Sequence, residues 1–204
     1  MLRYLIASIL FLSCAAHAND APSPGCFDLT QESVVLLKAA PTSFQTLSDP
    51  SASGTDKKNN DWADVSGIVK KPILTLYQKL LDPKTIRNGD NTRVEVTEIE
   101  SKTFLKKMIE KIVVKPVFFI TIAWSEEWGF GLKKGTPANP EAIVISYQKT
   151  EGTSHIKHLC GNISLQMLSP TSTGVFIYEE VQADRRSSDD VLNGITGTLR
   201  TLRE

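Results

Sequence analysis

Acid–base chemistry needs carboxylates, and the chain offers two adjacent pairs inside apolar runs, Glu126-Glu127 and Glu179-Glu180. Successive residues of a strand point to opposite faces, so each pair puts one carboxylate on each side of a sheet. A cavity-facing Glu126 would serve as a general base; a solvated strand end is the plainer use of the same residue. His155 and His158 also split across a strand and read as turn and surface residues rather than a dyad. His158 and Cys160 can share a face, but no second pair at ligand spacing accompanies them, so no metal is expected. No serine sits in a G-x-S-x-G elbow, and neither a Gly-rich phosphate loop nor a C-x-x-C pair occurs. The expectation is no catalytic residue and no cofactor.

The chemistry of the cysteines depends on compartment. Met1-Leu2-Arg3 and the apolar run Leu5–Leu12 precede Ala16-His17-Ala18, an A-x-A cleavage pattern. Residues 1–18 therefore read as a secretory signal, which makes the protein periplasmic or secreted. Lipidation at Cys14 is the rival reading, and Phe11 fits a lipoprotein box poorly. Cleavage leaves Cys26 and Cys160, and an even count in an oxidising compartment suggests one disulfide. Such a bridge closes a long loop and would contribute roughly 3–5 kcal/mol in the chain-entropy account.

The composition excludes other classes. The 204 residues are 41% apolar, and 23 basic residues balance 23 acidic ones, so one domain with a real core is expected and no nucleic-acid face. Residues 19–60 read as an arm holding a short helix, "QESVVLLKAA", and a loop over Thr46–Asn60. The main domain is expected over 61–204. Trp62–Val69 reads as a strand leading through Pro72 into a helix with Ile73, Leu76, Tyr77 and Leu80 on one stripe, stopped at Asp82-Pro83. Thr92–Glu100 alternates as a strand, whereas Phe104–Val113 keeps helical spacing and predicts a second helix. Val117–Trp128 predicts the strongest strand, Gly129–Glu141 a long turn, and Ala142–Lys149, Ser154–Leu168 and Gly174–Ala183 three hairpin-spaced strands. A terminal helix is capped by Ser187 or Ser188, with Leu192, Ile195, Leu199 and Leu202 as its buried stripe. Gly194 and Gly197 inside it imply a close neighbour, a bend, or a marginal helix. Six strands with segregated helices make an α+β domain.

In that layout "VSGIVKKPILTLYQKLLDPKT", "FFITIAWSEEW" and "GVFIYEEVQADRRSSDDVLNGITGTLRTLR" resemble the START-like (SRPBCC, helix-grip) superfamily, as an exported bacterial member. The resemblance implies a curved antiparallel β-sheet wrapped around a long C-terminal α-helix, with short helices after the first strand. It also implies a cavity between sheet and helix for a lipid-like hydrophobic molecule. The expected wall is Phe118, Ile120, Ile122, Trp124, Ile143, Ile145, Tyr147, Ile163, Leu165, Met167, Ile177, Leu192, Ile195 and Leu199, each of which an ordinary core would also use. Tyr147, Tyr178 and Glu179 are the candidate polar anchors. Three functions follow: a monomeric, non-catalytic carrier or sensor of a hydrophobic molecule with peripheral membrane contact, a cyclase- or hydrolase-like enzyme, or an interaction module with a filled core. The enzyme requires ionisable residues converging in the cavity; the module requires a small pocket and an exposed apolar patch.

Overall fold

The computed structural model describes residues 39–44, 49–86, 91–117, 120–184 and 186–204, the side chains of 116–120 excepted. The helix expected over "QESVVLLKAA" falls largely outside the described residues, as do Cys26 and Phe118. Eight strands, β1 (Ser51–Thr55), β2 (Asp61–Val69), β3 (Thr92–Ile99), β4 (Lys106–Val117), β5 (Ile120–Gly135), β6 (Pro140–Gly152), β7 (Ile156–Ser169) and β8 (Ser172–Ala183), form one sheet in the order β1-β2-β8-β7-β6-β5-β4-β3. Every neighbouring pair is antiparallel. The sheet is open and curved, and it grips a long C-terminal helix, α2 (Ser188–Arg203).

Both helices form for reasons visible in their residues. In α1 (Ile73–Leu80), Pro72 stands at the N-cap, and Ile73, Leu76 and Leu80 are buried. Asp82 closes the following turn by accepting a hydrogen bond from the Lys84 amide at 3.0 Å. In α2 the Ser187 hydroxyl and the Asp190 carboxylate cap each other's backbone N–H groups. Asp189 and Asp190 face the positive end of the dipole, and Arg200 and Arg203 the negative end. Val191, Ile195, Leu199 and Leu202 are buried in the common core with Ala63, Val65, Ile163, Val175 and Ile177 of the sheet. α2 packs chiefly on β2, with β1 and β8, while α1 packs on β6 and β7. The C-terminal end of α2 approaches β2 over Gly67, where a Cβ would lie 2.6 Å from Arg203 Nη2.

Four expectations are corrected. The segment 104–113 is no helix: it leads into and forms most of β4, whose inward positions are Met108, Glu110 and Ile112. A glutamate at an inward position hides the two-residue period, while Ile109, Ile112, Val113 and Val114 supply the β-branched surface that a strand prefers. The run starting at Val117 spans the end of β4 and the start of β5 rather than one strand. β5 continues to Gly135, so the glycines at 129 and 131 lie in strand; Phe104 packs where a side chain on Gly129 would go, 2.8 Å from a Cβ built there. The turn is only Thr136–Asn139, closed by reciprocal backbone hydrogen bonds of 3.1 and 3.0 Å. Finally, β1 lies in the segment expected to be loop, so with β4 the described residues hold eight strands where six were expected.

Candidate functional site

The register aligns one cross-strand row over the inner face of the sheet: Met108, Trp128, Tyr147, Gly161, Glu179 and Ala63, from β4 to β2. Gly161 is what lets the row function. A Cβ there would stand 2.3 Å from the ring carbon and the hydroxyl of Tyr147. Without it, the Tyr147 ring lies across β7 and its hydroxyl donates to Glu179 Oε2 on β8 at 3.0 Å. Trp128 stacks on the other side of that ring, with centroids 4.3 Å apart and planes at 14°. Phe130 and Tyr77 continue the aromatic packing toward α1, and burial pushes the Tyr77 hydroxyl's pKa upward. The Arg186 guanidinium, from the loop before α2, donates to Glu179 Oε1 at 3.3 Å.

These polar groups border a void of about 60 Å³ between sheet and α2, lined by Ile86, Tyr147, Ile163, Ile177, Glu179, Arg186, Gly194, Ile195 and Thr198. Of the residues expected on the cavity wall, Tyr147, Ile163, Ile177 and Ile195 line this void. Ile143, Ile145, Leu165 and Leu199 are buried in solid core, with Leu192 packed against it. Ile122 and Trp124 are half-buried and lie away from the void. Met167 is corrected: it is 40% exposed, because β7 there runs past the cover of α1 to the rim of the sheet. Tyr178 is corrected too. It shares the outer face with Glu180, to which its hydroxyl donates at 2.8 Å, and cannot anchor a ligand under α2. Sequence reasoning missed Arg186, Thr198 and Ile86. The signal for Arg186 was a cation between the closing strand and a capped helix, next to a strand carrying an inward glutamate.

Glu126 is corrected from a solvated position to a fully buried one. Its two oxygens accept from the indole N–H groups of Trp124 at 2.7 Å and Trp128 at 3.1 Å. It pairs in register with buried Glu110 on one side and buried Lys149 on the other, a second polar row one step from the first. Both glutamate pairs do split across the sheet: Glu127 faces outward to Lys107, with 2.6 Å between charged atoms.

On the outer face His158, Cys160 and Glu180 bring their ligand atoms within 4.8 Å of one another, the one such group among the described residues, and a disulfide at Cys160 would take its sulfur out of that set. Glu180 already lies 2.8 Å from His158 Nε2 and accepts from Tyr178. The His158 hydrogen bond holds the Glu180 carboxyl below its ordinary pKa, against burial, and Tyr178 adds to the lowering. Burial and the neighbouring Glu180 push the Tyr178 pKa strongly upward. His158 is thus a half-buried partner of Glu180 rather than a surface residue, whereas His155 is exposed beside Asp184. The outer face is not open: Val144, Ser146, Cys160, Asn162, Ser164 and Phe176 are all buried there.

No family model matches the chain, and no curated protein matches it. Solved structures do. Human StarD13 (DLC2) lipid transfer and protein localization domain aligns with a TM-score of 0.52 at 9% identity, covering 76% of this chain and 87% of that one. Human StAR-related lipid transfer protein 5 aligns with a TM-score of 0.53 at 9% identity, covering 79% and 83%.

Proposed function

We propose that this chain, which has the START-like helix-grip fold, is an exported, monomeric, non-catalytic binding protein for a hydrophobic, lipid-like molecule. The ligand's apolar body would lie between the sheet and α2, against Ile163, Ile177 and Ile195. Its polar end would meet Tyr147, Glu179 and Arg186. The carrying observation is that this polar corner borders the void left between sheet and α2 on an otherwise apolar inner wall. The fold shared with two human domains whose names specify lipid transfer supports the same reading. Ligand sites usually measure about 300–1,000 Å³, so a void of about 60 Å³ requires α2 to move outward on binding. Such a motion has a defined start: Arg186 releases Glu179, and the loop ahead of α2 swings. Export rests on the leader pattern of residues 1–18, and a Cys26–Cys160 disulfide would hold the arm against the outer face. Non-reducing peptide mapping that finds both thiols free would remove the disulfide.

Delipidated protein incubated with fatty acids, sterols and phospholipids should show a one-to-one adduct by native mass spectrometry. Absence of any adduct, with no uptake of a fluorescent fatty acid, would contradict the carrier. A second reading, an interaction module with a filled core, is favoured by the small size of the void. The enzyme alternative has ionisable groups at the void, but Glu179 already engages one oxygen with Tyr147 and the other with Arg186.

A further inference from the structure

The chain is neutral overall, and it gathers a group of basic side chains beside an apolar groove at one end of the sheet. The end where α2 begins is mixed: Asp56, Asp61, Glu151, Asp184, Asp189 and Asp190 stand there with Lys57, Lys58, Lys157, Arg186, Arg93 and Lys115. The opposite end gathers Lys70 and Lys71 before α1, Lys133 and Lys134 at the end of β5, and Arg200 and Arg203 at the end of α2. Its acids are engaged or few: Lys134 holds Glu141 at 2.5 Å, and Arg203 holds Asp49 through both nitrogens at 2.6 and 2.5 Å. That bidentate pair pulls the Asp49 pKa down, the Arg203 hydrogen bond outweighing burial. Glu204 ends the chain there.

The same end carries exposed apolar side chains. Among the described residues the exposed large hydrophobic side chains are Leu74, Val96, Met167 and Leu168, and all but Val96 stand here. They flank an apolar groove of about 350 Å³ lined by Pro72, Ile73, Leu74, Asn139, Pro140, Glu141, Met167 and Pro170. Short turns border it, at Thr136–Asn139 and at Pro170-Thr171.

Exposed apolar side chains ringed by lysines match a surface that is apolar below and anionic above. Leucine, methionine and proline tips enter the headgroup–acyl boundary, while lysine stems reach up to the phosphates. We infer that this basic, apolar end docks on an anionic lipid bilayer. The lysines beside the groove draw this end to an anionic surface, so Leu74, Met167 and Leu168 arrive first. An acidic protein would satisfy the lysines but has no particular use for the exposed leucine and methionine side chains of α1 and β7 beside them.

The inference does not depend on a ligand under α2. A chain that docks on vesicles but takes up no lipid keeps this proposal and loses the carrier; uptake without docking does the reverse. The test is co-sedimentation of the full mature chain with phosphatidylcholine vesicles, with and without phosphatidylglycerol. Binding should require the anionic lipid and weaken with salt. Lys70→Glu with Lys71→Glu should reduce it by at least the roughly fivefold expected for each lost basic residue. Leu74→Ser with Met167→Ser, both exposed and so compatible with folding, should weaken it at unchanged charge. Lys57→Glu with Lys58→Glu, at the other end, should leave it unchanged. Equal binding by all variants, no binding by the folded wild type, or binding to polyglutamate but not to vesicles would each overturn the proposal.

Discussion

Glu126 and Glu179 both stand on the inner face of one sheet, and their surroundings differ. Glu126 is sealed: two indole N–H groups occupy its oxygens, and Trp128 packs against Tyr147 beside it. Glu179 borders a void, and one of its two partners comes from a loop. Buried carboxylates that are fully satisfied specify a fold; one with a movable cation and empty space beside it can exchange partners with a ligand. A glutamate in an apolar strand is thus insufficient to mark a site. What marks it is the space around it and the freedom of its partner.

The comparison breaks most sharply at Glu126. Replacing it with Leu leaves the buried Trp128 indole and the half-buried Trp124 indole without their acceptor and should cost about 2–4 kcal/mol in urea unfolding. Replacement with Gln keeps one acceptor and should cost about half as much. Neither change should remove ligand uptake by the refolded protein; if Glu126→Gln abolishes uptake at unchanged stability, the roles of the two glutamates are reversed.

Gly161→Ala comes next. The new Cβ collides with the Tyr147 ring, and such overpacking costs about 1–3 kcal/mol. Tyr147→Ala alone also destabilises, but in the double variant the clash with the ring disappears and only the 2.6 Å contact with the Tyr178 carbonyl oxygen remains, so the two effects should be non-additive in a double-mutant cycle. Additive effects would show that Tyr147 does not lie over Gly161.

Arg186→Ala should change stability by less than about 1 kcal/mol, because the guanidinium is partly solvated. It should nevertheless speed exchange of a fluorescent fatty acid. Unchanged exchange would mean that the Arg186–Glu179 contact is no latch.

The smallest effect is on pH. The folded Glu180 carboxyl lies below its unfolded value of about 4.3, so its contribution to stability is complete above that value. It is lost as pH falls from there through the lowered folded pKa. Glu180→Gln should therefore flatten the acid limb of the stability curve below about pH 4.3. An unaltered limb would deny the His158 and Tyr178 contacts their role.

Much of the architecture was legible because local signals agreed with the global arrangement. The Ser187–Asp190 cap, the arginines at the far end and a clean apolar stripe specify α2, and β6 to β8 alternate with short turns between them. β4 was not legible, because Glu110 interrupts its apolar period and mimics helical spacing. The site was half legible. Parity puts Tyr147 and Glu179 on one face, but it equally puts Tyr178 on the other, and only the strand register joins the right pair across Gly161. Met167 has the correct parity and fails because parity says nothing of where a covering helix stops. Neither glycine inside α2 marks a tight approach: Gly197 has open space beside it, and the nearest atom to a Cβ on Gly194 is Arg186 Nη2 at 3.6 Å.

The most direct test of the space between sheet and α2 is native mass spectrometry after lipid exposure, comparing the wild type with Thr198→Leu. Thr198 lines the void, so a leucine there fills it from the helix side. The account predicts a one-to-one lipid adduct in the wild type and its loss in a folded Thr198→Leu variant. An equally abundant adduct in both would place the ligand elsewhere and contradict the account.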